Sequence, residues 1–147
     1  MPPGARPLLR RRYGQFPTTA DVGIWARGRR PEVLLEGLGL GLYALITDRR
    51  TVRDREERRV RAEAADLPGL VVGFLGELLV CQQVEGFLAR RIQLTFAPGP
   101  PPSVDARLFG EPFDPARHPA KVEVKAITFH RLEFDPARGR ARVIVDI

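Results

Sequence analysis

Hydrophobic and polar residues alternate along several stretches of the chain, and this period of two predicts β-strands. In the first stretch, Val22, Ile24 and Ala26 alternate with Gly, Trp and Arg. Four later stretches show the same alternation: residues 59–64, 88–96, 104–109 and 122–134. Residues 141–147 also read as a strand. Because a turn at 135–140 precedes them, we expect them to pair as a hairpin with the long strand.

Leucines at helical spacing distinguish residues 31–47 from these strands. Pro31 suits the first position of this helix, because its missing N–H would be unbonded there. Gly37, Gly39 and Gly41 each weaken the helix by roughly 0.5–1 kcal/mol relative to alanine, so we expect close packing onto a sheet. Their spacing differs from G-x-G-x-x-G and lies inside a helix, which excludes a dinucleotide-binding loop.

A second apolar stripe predicts a helix from about Pro68 to Gln83. Asp66 is a favoured N-cap for this helix, and Glu85-Gly86 ends it. Residues 16–21, which precede the first predicted strand, predict a turn.

The order of these elements is strand, helix, strand, helix and then a run of strands. It predicts an α+β fold in which two helices pack on one face of a mixed β-sheet. The length suits a single domain, which we place at residues 13–147. Residues 1–12, rich in proline and arginine, predict a flexible basic N-terminal tail.

The net charge of the chain is weak evidence for an RNA-binding function. The net charge of +6 favours a polyanionic partner such as RNA. However, 22 of the 24 basic residues are arginine, and along residues 48–59 they are interspersed with acidic side chains, as on a solvated surface. Aromatic residues make up 7% of the chain, too few for the sheet face of a plain RNA-binding module.

The cellular compartment is predicted from the lack of a membrane-spanning run and of a secretory signal. No apolar run reaches the roughly 20 residues of a transmembrane helix, and the N-terminus lacks the apolar region of a secretory signal. The sequence therefore predicts a cytoplasmic protein with no membrane partner. Cys81, the single cysteine, excludes an intramolecular disulfide and a cysteine-rich zinc site. Its position after an apolar stripe predicts a buried, inert thiol.

Carboxylates converge at the end of the last predicted strand. Asp146 is followed by Ile147, whose free carboxylate places a second anionic group one residue away. Asp21 precedes the first predicted strand and supplies a third oxygen ligand if the two strand ends meet. A hard cation would relieve the repulsion among these groups. Alternatively, Asp146 is simply solvated and Asp21 is a turn residue bonded to its own backbone.

The two histidines give less evidence of chemistry. His118 lies in a predicted polar loop. His130 lies on the apolar side of the predicted strand 122–134, where a packed core histidine is the common outcome. Neither histidine has zinc-site spacing or a predicted nucleophile beside it, which disfavours a metal-dependent hydrolase. Lys121 and Lys125 share one face of the predicted strand, an arrangement that weakly suggests phosphate binding.

Six stretches of the chain, in order and at similar spacing, resemble the archease family. They are Thr19–Ile24, Leu45–Asp48, Gly76–Leu79 with Glu85–Gly86, Gly110–Glu111 with Asp114 and His118, Val124–His130, and Val145–Ile147. The resemblance covers residues 16–147. Three positions depart from the family pattern: Thr18 stands where the family usually has His, Gly76 where it has Asn, and Gln83 where Asp is common.

The resemblance implies an archease-like α+β domain that is not itself an enzyme. Archeases assist RtcB-type RNA ligases in tRNA splicing and RNA repair, by promoting guanylylation of the ligase by GTP and multiple turnover. RNA is then contacted indirectly, through the ligase. The resemblance also implies a divalent cation held by Asp21, Asp146 and the Ile147 carboxylate. Oxygen-only ligation suits calcium first, with magnesium or manganese as alternatives.

Three further residues become expected contacts to phosphate or to the partner: Lys125, His130 and His118. The resemblance leaves one alternative function open, that of a chaperone-like modulator of an RNA methyltransferase. Such a protein would use a binding face rather than a metal site, so removal of the carboxylates should leave it intact. A salt-dependent affinity for RNA would instead indicate an RNA-binding module.

Overall fold

The computed structural model describes residues 11–147, so the predicted tail lies outside the described residues except for Arg11 and Arg12. The described part contains two α-helices, α1 (Pro31–Ile46) and α2 (Leu67–Glu85). Its strands are β1 (Tyr13–Pro17), β2 (Val22–Arg27), β3 (Glu56–Glu63), β4 (Phe87–Ala97), β5 (Ser103–Pro112), β6 (Ala126–Ile127), β7 (Glu133–Asp135) and β8 (Arg140–Asp146). The predicted α+β class is confirmed.

The strands form two sheets. One has the order β1-β2-β8-β6, with β7 also paired to β8, and the other has the order β3-β5-β4. Every pairing among residues 11–147 is antiparallel, where the sequence suggested one mixed sheet. Three of the pairs are hairpins joined by short connections, which makes the paired strands antiparallel. α1 contacts β2 in one sheet and β4 in the other, so the two sheets share one core.

Glycines let α1 lie close to its neighbours. A Cβ atom added to Gly41 would lie 2.5 Å from Ile24 Cγ2 on β2. One added to Gly39 would lie 2.8 Å from Ile92 Cδ1 on β4. Real Cβ contacts are longer than this, so larger residues would force the helix away from the sheets. The close packing predicted for this helix is confirmed.

α2 starts and ends within two residues of its predicted bounds. Asp66 Oδ1 accepts a hydrogen bond from Gly69 N–H (2.8 Å), and Gly86 ends the helix in the left-handed conformation with φ +69°. By length and composition alone α2 could cross a membrane, a test that core helices of globular proteins also pass. Its buried residues are those of the predicted stripe and Cys81: Leu70, Val71, Phe74, Leu75, Leu78, Leu79 and Cys81.

The predicted long strand 122–134 is wrong, because β6 and β7 are short pieces separated by a turn. Before β6, the backbone serves the end of α1 instead of a strand. The N–H groups of Lys121 and Val122 donate to the carbonyls of Ile46 (3.0 Å) and Leu45 (3.1 Å). The predicted hairpin is confirmed for β7 and β8, which pair across the turn that follows Asp135.

β1 is the strand that the sequence pattern did not predict. It pairs with β2 over five residues, of which 13–15 were assigned to no element and 16–17 were expected to form part of a turn. The backbone carbonyl of Arg12 extends this contact by accepting a hydrogen bond from Arg27 N–H (2.7 Å). Gly14 and Gln15 interrupt any apolar alternation, so the strand is recognisable only from its pairing with β2.

Candidate metal centre

Asp21 and Asp146 lie opposite each other at one end of the β2–β8 pair. The register pairs Val22 with Val145, so the next residue outward on each strand is an aspartate. Asp21 is fixed by a local turn: its N–H donates to Thr18 Oγ1 (3.0 Å), and the Thr18 hydroxyl donates to the Asp21 carbonyl (2.9 Å). Both aspartates are half-buried. The structure therefore brings together two residues that are 125 positions apart in the chain.

The chain terminus lies at the same sheet edge. Ile147 directly follows Asp146 and is exposed. On the other side of β8, Ala126 pairs with Asp146, and the N–H of Lys125 donates to the Asp146 carbonyl (2.8 Å). Continuing this register places Lys125 opposite Ile147. Three carboxylate-bearing residues and one lysine thus share one end of the sheet.

The oxygen donors at this edge suit a hard cation. Among residues 11–147, no three His, Cys, Asp or Glu side chains are arranged to hold a metal ion. The candidate site therefore offers two aspartate side chains, with the main-chain carboxylate of Ile147 as the expected third donor. All three donors are oxygens, which calcium, magnesium and manganese accept and which zinc structural sites rarely use alone.

A cleft of about 440 Å³ adjoins Asp21. His130 lies at this cleft in the turn between β6 and β7, where it is exposed and its N–H donates to Thr128 Oγ1 (3.2 Å). The prediction that His130 packs on an apolar strand face is therefore wrong, because the turn ends the strand before it. Two residues that the sequence analysis did not select, Arg131 and Arg142, also line the cleft.

His118 lies apart from this edge. Its side chain is fully buried, with Nε2 3.0 Å from Glu111 Oε2 and Nδ1 accepting a hydrogen bond from Asp114 N–H (2.8 Å). Because Nδ1 accepts, the ring proton lies on Nε2 and is donated to Glu111. Both ring nitrogens are thus used within the protein, so His118 holds its loop in place and is not exposed for contact with a partner.

Glu111 is the acceptor at the centre of that buried contact. Its side chain also accepts a hydrogen bond from Arg53 N–H (2.8 Å) and lies 2.5 Å from the Arg117 guanidinium. Burial alone would raise the pKa of Glu111, but the Arg53 N–H, His118 and Arg117 outweigh burial and hold that pKa below its ordinary value. Glu111 therefore stays ionised and fixes the segment that leads to the last strands.

Comparison with known proteins identifies the group to which this arrangement belongs. The model of the archease protein family matches residues 13–147. The chain belongs to the archease family. Archease of Thermococcus gammatolerans is 36% identical over 141 residues, which cover 93% of this chain and 99% of that protein. Archease of Pyrococcus abyssi is 33% identical over 141 residues with the same coverage.

A solved structure agrees with the archease assignment. The solution structure of Methanobacterium thermoautotrophicum protein 1598 is similar to this chain, with a TM-score of 0.78 and 29% sequence identity. The similarity covers 93% of this chain and 99% of that protein. The family resemblance stated from the sequence is therefore confirmed along with the fold. The relatives carry the name archease, which denotes no catalytic activity.

Proposed function

We propose that this chain is a cytoplasmic, metal-binding accessory protein that activates an RtcB-type RNA ligase in tRNA splicing and RNA repair. It promotes guanylylation of the ligase by GTP and multiple turnover, and it meets RNA through the ligase. The observation that carries the proposal is the opposition of Asp21 and Asp146 beside the terminal residue Ile147, in a chain of the archease family.

The cation in this proposal is held by Asp21, Asp146 and the Ile147 carboxylate. Three carboxylates at one sheet edge repel one another, and a divalent cation between them removes that cost. Calcium is the first candidate, with magnesium and manganese as alternatives. When bound, the cation would supply positive charge for a phosphate group. Lys125, opposite Ile147 in the register, adds a further positive charge at the same edge.

An accessory role is supported by the positions of the two side chains best suited to covalent catalysis. Cys81 is buried, and burial, together with the nearby Glu85 carboxylate, raises the pKa of its thiol to about 11. Ser103, the only serine, is buried at the start of β5. A nucleophile must reach its substrate and have a base beside it, so neither residue is placed for that work.

The test combines the protein with the RNA ligase of the same organism, GTP and calcium, magnesium or manganese. The parent protein should raise both the guanylylation rate and the number of turnovers. Asp146→Asn should lose this activation, because it removes a cation ligand while keeping the shape of the side chain. Asp105→Asn is the matched control, since Asp105 is an exposed strand aspartate on the other sheet.

Two results would contradict the proposal. One is ligation by this protein without the ligase. The other is equal activation by the parent and the Asp146→Asn variant across the range of cation concentrations, which would favour a binding face over a metal site.

A further inference from the structure

Arg131 and Arg142 are distinguished from most surface arginines by having no hydrogen bond or ion pair to any residue in 11–147. Arginines on the other sheet are paired: Arg61 contacts Asp105 at 2.7 Å and Arg107 contacts Glu57 at 2.6 Å. Arg131 and Arg142 are both exposed and line the cleft beside Asp21. Two unpaired guanidinium groups in one cleft form a setting for an oxyanion, because guanidinium matches phosphate geometry with paired N–H donors.

The backbone explains how these two arginines reach the cleft. Arg142 lies two residues from Ile144 and four from Asp146 on β8, so all three point to the same face of the sheet. Arg131 has φ +52°, a left-handed conformation that is uncommon for a residue other than glycine. It lies in the turn closed by the Leu132 N–H donating to the Phe129 carbonyl (3.2 Å). Such backbone strain is often retained where a side chain is held for function.

Six charged groups lie in the cleft or at the sheet edge beside it, and their charges balance until a cation is added. Asp21, Asp146 and the Ile147 carboxylate contribute three negative charges. Lys125, Arg131 and Arg142 contribute three positive charges. With no cation, an incoming phosphate meets the repulsion of the carboxylates, which cancels the attraction of the arginines. A divalent cation leaves this region with two excess positive charges, and an anion is then attracted.

We propose that this cleft binds the phosphate group of a nucleotide through Arg131 and Arg142, and that it does so more tightly when the carboxylate edge holds a divalent cation. This inference rests on the cation site of the proposed function and adds to it a second ligand coupled to the first. Coupling between two ligands is reciprocal. The phosphate therefore tightens cation binding by the same factor as the cation tightens phosphate binding.

Calorimetry on the whole protein tests this inference with GMP, inorganic phosphate and guanosine as probes, each with calcium or with a chelator. GMP and phosphate should bind at least about tenfold more tightly with calcium, within the usual range of coupling between sites. Guanosine should not bind. Trp25, the only tryptophan, pairs across the strands with Arg142, so its fluorescence should change on GMP binding and locate the probe.

The variants Arg131→Gln and Arg142→Gln should each weaken GMP binding by about tenfold, the loss expected for one charge-assisted contact. Arg140→Gln is the matched control, because Arg140 lies on the same strand and pairs with Glu133. Calcium alone should bind to all three variants. Three results would show that the inference is wrong while leaving the cation site intact. They are equal GMP binding with and without calcium, guanosine binding as tight as that of GMP, and equal GMP affinity in all three variants. If calcium does not bind the parent protein, the cation site and this inference both fail.

Discussion

At the scale of single residues, Glu111 places a negative charge in the core. Among the residues that the structure describes, it is the only buried acidic side chain. Its folded pKa lies below the ordinary value of 4.5, because the Arg53 N–H, His118 and Arg117 outweigh its burial. Its ionised form therefore stabilises the fold above about pH 4.5, and this stabilisation is lost as pH falls through the lower folded pKa.

Glu111→Gln should accordingly lower the free energy of unfolding by about 2 kcal/mol at pH 7, the value of hydrogen bonds to a charged group. The difference from the parent should shrink as pH falls from 4.5 towards the lower folded pKa, where the native carboxylate also becomes protonated. Urea unfolding at pH 7 and at acid pH measures both quantities. Glu123→Gln, at an exposed position, is the control and should change little. A pH-independent loss in Glu111→Gln would contradict the electrostatic explanation.

The thiol of Cys81 offers a second residue-scale prediction. Burial is the main reason that its pKa rises to about 11, and the Glu85 carboxylate adds to the rise. The thiolate is the reactive form, so at pH 8 the native protein should react slowly with a thiol reagent. Denaturation should make the same cysteine react fully and fast. Rapid stoichiometric labelling of the native protein would show that α2 opens easily or that the thiol is not buried.

At the scale of elements, the C-terminal end of α1 shows how a distant segment completes a helix. Each of its last four carbonyls, those of residues 43–46, accepts a hydrogen bond. In chain order the donors are the Thr47 N–H, the Lys121 Nζ, the Val122 N–H and the Lys121 N–H. The ammonium group of Lys121 donates to Ala44 O (2.9 Å) at the negative end of the helix dipole. The segment around Lys121 is thereby fixed to the helix, which is why it is not the strand that its sequence pattern predicted.

Lys121→Met should therefore destabilise the protein by about 0.5–1 kcal/mol, the usual contribution of a cation at a helix C-terminus. Chemical unfolding at neutral pH measures this loss, and added salt should reduce it. Lys125→Met is the matched control, because the Lys125 side chain makes no hydrogen bond to another residue in 11–147. The stability of this variant should therefore match that of the parent. Equal losses in both variants would contradict a specific cap.

The glycines of the two helices give a further prediction. Gly76 on α2 has no atom within 4 Å of an added Cβ, whereas a Cβ on Gly41 would collide with Ile24. Gly76→Ala should stabilise the protein by up to about 1 kcal/mol, the difference in helix propensity. Gly41→Ala should destabilise it by about 1–3 kcal/mol, as overpacking does. Thermal unfolding of the two variants checks the opposite signs, and a loss in Gly76→Ala would show an unrecognised contact there.

The sequence predicted the helices and most strands because their signals are local. Pro31 and Asp66 mark helix starts through their own chemistry, and both helices begin within one residue of the predicted position. β1 has no such signal, since its partner β2 supplies the hydrogen bonds. The segment 122–134 alternates like a strand, but its backbone groups are used by the end of α1 and by the turn at His130, and neither contact is visible in a local pattern.

At the scale of the whole molecule, the candidate metal site depends on the central position of β8. This last strand pairs with β2, β6 and β7, so the chain terminus is carried to the edge where Asp21 lies. The resemblance to archeases named Asp21, Asp146 and Ile147, and the register places them together. Arg131 and Arg142 could not be predicted, because a turn and an outward-facing strand position bring them to the cleft, and both depend on the fold.

The terminal carboxylate of Ile147 is the proposed cation ligand that can be tested without changing any side chain. Adding one glycine after Ile147 moves that carboxylate away and leaves every side chain in place. Calcium binding should be measured by calorimetry on the parent, the extended protein and Asp146→Ala. The extension should weaken calcium binding as much as Asp146→Ala does, with unchanged thermal stability in the absence of calcium. Calcium binding by the extended protein at the parental affinity would show that the Ile147 carboxylate is not a ligand and would contradict the proposed site.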